Sequence, residues 1–288
     1  MKLKEVFEKS VQFFKEKKIE SSRLDAELLL ASALGIDRLQ IYLKFDQPLS
    51  DEEISKCREL IRRRSQGEPV AYILGQKGFW GSDYFVGPGV LIPRPETETI
   101  VEQALEFAKL KELAAPRILD LGAGSGCVGF AILKSLPEAQ LVSVERSPEA
   151  YSFLKRNQEK LGLSARSRLH LGDVMSYDPS TEKFDIIVAN PPYIAAEDIE
   201  VEANVKRFEP PQALFADNAG LEDLIRWSTR FAPSLNRPGV MLFELGYRQG
   251  NAMLDHFRSM QIFSTVEILK DLSGLDRVVK GLNNNGTS

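Results

Sequence analysis

The sequence predicts an α/β protein: a Rossmann-like, mostly parallel sheet with an antiparallel edge strand, preceded by a small all-α helical bundle and a β-hairpin linker. Three observations predict it. Beyond Pro116, short apolar runs alternate with helical stretches, the pattern of a parallel sheet covered on both faces. The first of those runs ends in a glycine-rich turn that opens a helix. Before residue 75 the apolar residues recur at helical spacing.

Residues 1–74 form the first unit. Leu3, Phe7, Val11 and Phe14 recur at three-to-four spacing, and Leu24, Leu28, Ala31 and Leu34 repeat the pattern. Ser22 with Asp25, and Ser50 with Glu53, have the spacing of capping boxes, the second opening the run Ile54, Cys57, Ile61. Residues 75–94 change texture to glycine, aromatic and β-branched residues (GQKGFWGSDYFVGPGV), too interrupted for a helix and suited to a hairpin.

Residues 95–282 form the sheet unit. Pro95 sits at a helix first turn with Glu96 and Glu98 at its positive end, and Ile100, Ala104 and Phe107 supply the inward face. Then follow RILDLG, a helix from Ser125, QLVSVE, a helix opened by Ser147-Pro148, SRLHLGD and FDIIVAN. A helix near 221–232, the strand VMLFELG and a helix near 249–258 lead to FSTVEILK and LDRVVKGL, which are close enough to pair antiparallel at the sheet edge. The polar tail 283–288 is expected to be disordered.

Composition narrows the function. With 43% hydrophobic and 27% charged residues the chain is of ordinary globular type. A net charge of -4 gives no pull toward a polyanion, so dedicated nucleic-acid binding is not expected. Cys57 and Cys127 lie far apart, and His170 and His256 lack partners at metal spacing, so neither a disulfide nor a metal site is indicated. The charged first twenty residues do not suit a signal peptide, and no apolar run reaches the roughly 18 residues of a membrane span, so a cytoplasmic protein is expected.

Two motifs carry chemistry. Asp120, Gly122, Ala123, Gly124, Ser125 and Gly126 join a buried strand to a helix, where backbone can approach a ligand closely at a helix N-terminus. Glu145 ends the next strand, at the distance where an acid can accept both hydroxyl hydrogens of a ribose. Gly124, Gly126 and Gly129 also satisfy the dinucleotide spacing, so this loop alone leaves a nicotinamide or flavin enzyme open.

The second motif is Asn190-Pro191-Pro192-Tyr193, which follows an apolar strand and forces the chain out of the sheet. An amide nitrogen is a poor nucleophile because its lone pair is delocalised into the carbonyl. A site helps by accepting both of its hydrogens, and the Asn190 side-chain oxygen with the Pro191 carbonyl, stiffened by Pro192, supplies two acceptors. Tyr193 offers a flat face for a planar substrate.

These residues, with GEPVAYILGQKGFW (67–80), LIPRPETE (91–98), RFEPPQALFA (207–216) and LSGLDRVVKG (272–281), resemble the class I S-adenosylmethionine methyltransferases, and within them the PrmC/HemK release-factor glutamine methyltransferases. NPPY alone is shared with adenine- and guanine-directed amino methyltransferases. The resemblance implies S-adenosylmethionine over Gly122–Gly126, with Glu145 on its ribose, the backbone around Asp173 and Val174 near the adenine, and Asn190 close to the methyl group. It implies S-adenosylhomocysteine as product. It also implies the substrate, the glutamine of the Gly-Gly-Gln loop of class I peptide-chain release factors, and a docking role for the helical unit; separately, the chain is expected to be a monomer. Two positions depart from the usual pattern: Glu145 stands where Asp is commoner, and Val174 replaces an aromatic.

Other residues carry less. Arg94 is a candidate through the LIPRPETE segment, which can close over the cofactor or simply begin a helix. Arg62, Arg63 and Arg64 read as solvated helix surface. The rival enzyme is a nucleic-acid amino methyltransferase, since adenine N6 is also a planar nitrogen with two hydrogens; such an enzyme needs base extrusion and a basic groove. The non-enzymatic rival is a silent scaffold on the same fold.

Overall fold

The computed structural model describes residues 1–195 and 203–284. The chain divides into two compact units, Met1–Gln76 with Ala203–Phe208, and Lys77–Glu202 with Glu209–Ser288. No described helix is long and apolar enough to cross a membrane.

The first unit holds α1 (Leu3–Glu16), α2 (Ser22–Leu34), α3 (Gln40–Leu43), α4 (Asp51–Ser65) and α5 (Val70–Leu74). Its core is built from Leu3, Phe7 and Phe14 of α1, Ala26, Leu29 and Leu30 of α2, and Cys57 and Ile61 of α4. The face of α2 differs from the expected one: Leu24 is 42% exposed, because Asp25 and Ala26 turn inward in its place. Nor does Ser22 cap this helix. It lies within the first turn, its hydroxyl donating back to the Ile19 carbonyl, while Asp25 accepts from Arg64 Nε at 2.7 Å. The second box forms: Ser50 Oγ accepts from Glu53 N at 3.2 Å and Ser50 N donates to Glu53 Oε2 at 2.8 Å, which satisfies two orphan donors of α4 and contributes about 1 kcal/mol.

The second unit opens with a hairpin of β1 (Gln76–Phe79, its first residue grouped with the first unit) and β2 (Ser82–Phe85). After it come α6 (Glu98–Leu110), β3 (Arg117–Leu121), α7 (Cys127–Ser135), β4 (Gln140–Glu145), α8 (Pro148–Lys160), β5 (Ser167–Leu171) and β6 (Phe184–Ala189). Pro95 opens a 3-10 turn, Pro95–Thr97, that leads into α6. Next are β7 (Ile194–Ala195), α9 (Ala203–Phe208, grouped with the first unit), α10 (Pro211–Leu214), β8 (Phe215–Ala216) and the left-handed turn α11 (Asp217–Gly220). The chain ends with α12 (Glu222–Phe231), β9 (Leu235–Glu244), α13 (Gly250–Ser259), β10 (Thr265–Lys270) and β11 (Asp276–Asn283).

Seven strands form one sheet in the order β10-β11-β9-β6-β3-β4-β5. All neighbours are parallel except those of β11, which pairs antiparallel with both β9 and β10. The expected antiparallel pair therefore lies at one edge, with β11 the reversed strand and β10 outermost. Asn283, expected in a disordered tail, ends β11 and is 5% exposed, its side chain hydrogen-bonded to Arg237 and to the Asn236 carbonyl; residues 285–288 fall outside the described residues.

Strand side chains alternate between two apolar layers. Ile118, Ile186, Val188, Val240 and Leu242 pack with α6 and α7. Leu119, Leu121, Ile187, Met241 and Phe243 pack with α12 and α13. Burial on both faces is why the central strands read as continuous apolar runs. From β3 the chain moves outward through β4 to β5, then returns to β6 on the opposite side of β3, with Leu121 paired to Ala189. That reversal opens a crevice at the carboxyl ends of β3 and β6.

Candidate active site

The loop after β3 lies at this crevice. Gly122, Gly124 and Gly126 all have left-handed backbone, with φ of 68°, 56° and 81°. Gly126 has a second reason to be glycine, since a Cβ there would meet Phe130 at 2.4 Å and Leu154 at 2.6 Å. Three loop amides are committed to β4: Gly122 N and Ala123 N donate to the Val144 carbonyl at 2.9 and 3.0 Å, and Gly124 N donates to Glu145 Oε2 at 2.8 Å. The loop therefore offers close backbone approach more than a nest of free donors. Behind it, fully buried Asn157 donates to the Ser125 carbonyl at 2.9 Å and grips Phe85 through both its N–H and its carbonyl.

Glu145 is itself held at both ends, because Oε1 accepts from Ser147 N at 2.7 Å while Oε2 takes Gly124. Each oxygen keeps a further lone pair for a ligand hydroxyl. Asp120 is 2% exposed and accepts Gly129 N at 3.1 Å. Burial raises its pKa to about 7, and the neighbouring Glu145 charge adds to the rise.

One cleft gathers most of the candidate residues. Asp120, Gly122, Ala123, Gly124, Ser125, Glu145, Val174, Asn190 and Pro192 all line it. Gly126, Asp173, Pro191 and Tyr193 do not. Gly126 is the left-handed cap of α7, and the Asp173 carboxylate turns to cap Met175 N at 2.7 Å. Tyr193 points its hydroxyl at Glu244 Oε1, 3.0 Å away, instead of presenting it to the cleft.

Asn190 follows the last residue of β6, and its Nδ2 donates to Thr97 Oγ1 at 3.3 Å. Thr97 lines the cleft but was not apparent from the sequence; its signal was the ETE that follows Pro95. Glu244 was missed as well. It is 1% exposed, burial raises its pKa, and the Thr97 and Tyr193 hydroxyls with nearby Arg277 oppose the rise.

The other side of the cleft joins two of the family-like segments. Glu209, 3% exposed, accepts Ile92 N at 3.1 Å and pairs with Arg94. Arg146 donates to the Gln212 carbonyl at 2.8 Å, and Trp227 closes the wall beside Gly122. Elsewhere, Arg62, Arg63 and Arg64 are engaged by Glu59, Glu68 and Asp25. His170 packs on Tyr177, and burial pushes the Cys127 thiol up to about 12, which leaves it inert.

Comparison with known proteins adds the following. Residues 5–75 match the PrmC N-terminal domain family and residues 103–215 the methyltransferase small domain family. The chain is 43% identical over 272 residues to the release factor glutamine methyltransferase of Geobacter sulfurreducens, covering 93% of this chain and 92% of that one. It is 36% identical over 263 residues to the release factor glutamine methyltransferase of Escherichia coli K12, covering 91% and 92%. Among solved structures, the hMettl16 catalytic domain in complex with MAT2A 3'UTR hairpin 6 shares the fold with a TM-score of 0.55 at 14% identity, covering 83% of this chain and 84% of that one.

Proposed function

Because the chain belongs to the release factor glutamine methyltransferase family, we propose that it transfers the methyl group of S-adenosylmethionine to the side-chain amide nitrogen of the glutamine in the Gly-Gly-Gln loop of class I release factors. The observation that carries the reading is the Asn190 carboxamide, set beside the glycine loop with its N–H end turned to Thr97. Its oxygen is thereby left as an acceptor for a substrate N–H.

The residues of the cleft fit S-adenosylmethionine. Glu145 presents a fixed carboxylate for the ribose hydroxyls, Val174 offers an apolar surface for the base, and left-handed Gly122 and Gly124 leave the wall without side chains. The donor supplies an electrophilic methyl carbon on a positively charged sulfur.

In this reading Asn190 Oδ1 and the Pro191 carbonyl accept the two hydrogens of the glutamine NH2 and aim the nitrogen along the line of transfer. Two acceptors also select the substrate, since a group without N–H would leave them desolvated and unpaired. The carbon–sulfur bond breaks as the carbon–nitrogen bond forms. The resulting N-methylated cation is a strong acid and releases its proton to solvent, so no strong base is required.

The test is to incubate the protein with tritiated S-adenosylmethionine and, separately, a release factor, its Gln-to-Ala variant, DNA and RNA. Label on the unaltered release factor alone supports the reading. Label on nucleic acid would favour an amino methyltransferase acting on bases, and label on none of them a scaffold.

A further inference from the structure

We propose that Thr97, backed by the buried carboxylate of Glu244, fixes which end of the Asn190 carboxamide faces the cleft, and so makes Asn190 an acceptor of N–H groups. The inference rests on the function proposed above only for the identity of the substrate.

The oxygen and nitrogen of a carboxamide have nearly the same shape, so packing does not choose between the two flipped arrangements; a neighbour with one-way hydrogen bonding must. Strand register supplies it. Ala189 pairs with Phe243, so Asn190 and Glu244 sit side by side at the ends of β6 and β9, and on the α6 face, two residues beyond Val188 and Leu242. Thr97, 2% exposed, comes over them from the turn that opens α6.

A threonine hydroxyl has one hydrogen, and it accepts from Asn190 Nδ2 when that hydrogen is directed elsewhere. Glu244 is the sink. Tyr193 donates to its Oε1 and its buried Oε2 has no close hydrogen-bond partner among the described residues; burial raises its pKa, and the Thr97 and Tyr193 hydroxyls oppose that rise by favouring the charged form. An ionised Glu244 draws hydrogens from its surroundings, so in this proposal the Thr97 hydrogen is directed toward that open acceptor and the Thr97 oxygen is left to accept from Asn190 N–H. The flipped carboxamide would need the Thr97 hydrogen for its own oxygen, removing a donor from a buried acid, and would aim N–H at the substrate's N–H. Thr97 is a positioning residue in this scheme. It acts through Asn190.

The experiment compares Thr97→Val, which keeps the shape without the hydroxyl, with Thr97→Ser, which keeps the hydroxyl. Two readouts are taken: steady-state methylation of a release factor alongside S-adenosylmethionine affinity, and NMR of the Asn190 carboxamide protons in the protein alone, assigned by their loss in Asn190→Asp. Thr97→Val is expected to lower kcat about 10- to 100-fold, the cost of one misdirected buried hydrogen bond, with cofactor affinity within about 2-fold. Its Asn190 protons should lose their protection from exchange, and Thr97→Ser should restore both. Parental kcat and unchanged Asn190 signals in Thr97→Val would overturn the proposal, as would a Thr97→Ser variant no better than valine. A parent that labels no release factor, with Asn190 signals still governed by the Thr97 hydroxyl, would sink the proposed substrate and support the orientation lock.

Discussion

The Glu145 carboxylate accepts the backbone N–H of Gly124 at 2.8 Å, tying the acid that ends β4 to the loop that follows β3. One side chain thus shapes the glycine loop and lines the cleft beside it. Glu145→Ala is expected to remove both contributions. Loss of two charge-assisted hydrogen bonds at roughly 1.5 kcal/mol or more each predicts S-adenosylmethionine affinity weakened by about 100-fold. Turnover at saturating cofactor should fall far less. Calorimetric titration beside steady-state kinetics separates the two, and unchanged affinity with a depressed kcat would contradict the assignment.

Asn190→Ala is expected to show the opposite split. The side chain meets the reacting group in the proposed mechanism, so kcat should drop by about 100- to 1000-fold, the scale of removing one preorganised polar contact. Cofactor affinity should stay within about 3-fold, because the carboxamide is engaged by Thr97 and not by the glycine loop. Equal turnover by variant and parent would remove the amide-clamp mechanism.

The contrast between these residues and Thr97 shows what a linear reading captures. Gly122–Gly126, Glu145 and Asn190 each stand at the end of an apolar run, so order along the chain already places them at the carboxyl ends of the strands of one parallel sheet. Thr97 and Glu244 acquire meaning only once Ala189 aligns with Phe243 and α6 lies over that row, a register that no local pattern encodes. Glu209 is likewise silent in the sequence, since its partner Arg94 lies 115 residues away. Helix α2 misleads for a different reason. Its segment LDAELLLASAL is apolar at too many spacings to choose a face: the core takes Ala26, Leu29 and Leu30 beside the expected Ala31, Leu34 packs partly buried against it, and Leu24 is left exposed.

Asp120 predicts a pH dependence. Its carboxyl holds a proton in the folded protein up to about pH 7 but releases it near 3.8 when unfolded. Between those values the folded state binds more protons, so this group makes stability fall as pH rises, with the full penalty present above pH 7. Asp120→Asn keeps an acceptor for Gly129 N and has nothing to ionise. Denaturant melts should coincide with the parent near pH 4 and separate toward pH 8, the variant being more stable by up to about 4 kcal/mol. Parallel curves across that range would show that Asp120 ionises normally in place.

Arg94 and Glu209 predict a non-additive pair. Glu209 is 3% exposed and binds both the Arg94 guanidinium and Ile92 N, so it pins residues 92–94 to the segment entering α10. Removing Arg94 alone leaves a buried carboxylate with a single backbone donor. Arg94→Ala should therefore cost roughly 1–3 kcal/mol, less than the roughly 3–5 kcal/mol lost when a fully buried pair is broken, because its side chain is 36% exposed. Glu209→Gln keeps an acceptor for Ile92 N and should cost less. Adding Glu209→Gln to Arg94→Ala removes the stranded charge, so the double variant should be more stable than Arg94→Ala. Hydrogen exchange offers the local readout: Arg94→Ala should speed exchange of the Ile92 amide, and the second substitution should slow it again. If the two costs simply add and the Ile92 amide exchanges alike in all four proteins, the pair is a surface contact and the clamp on this wall of the cleft lies elsewhere.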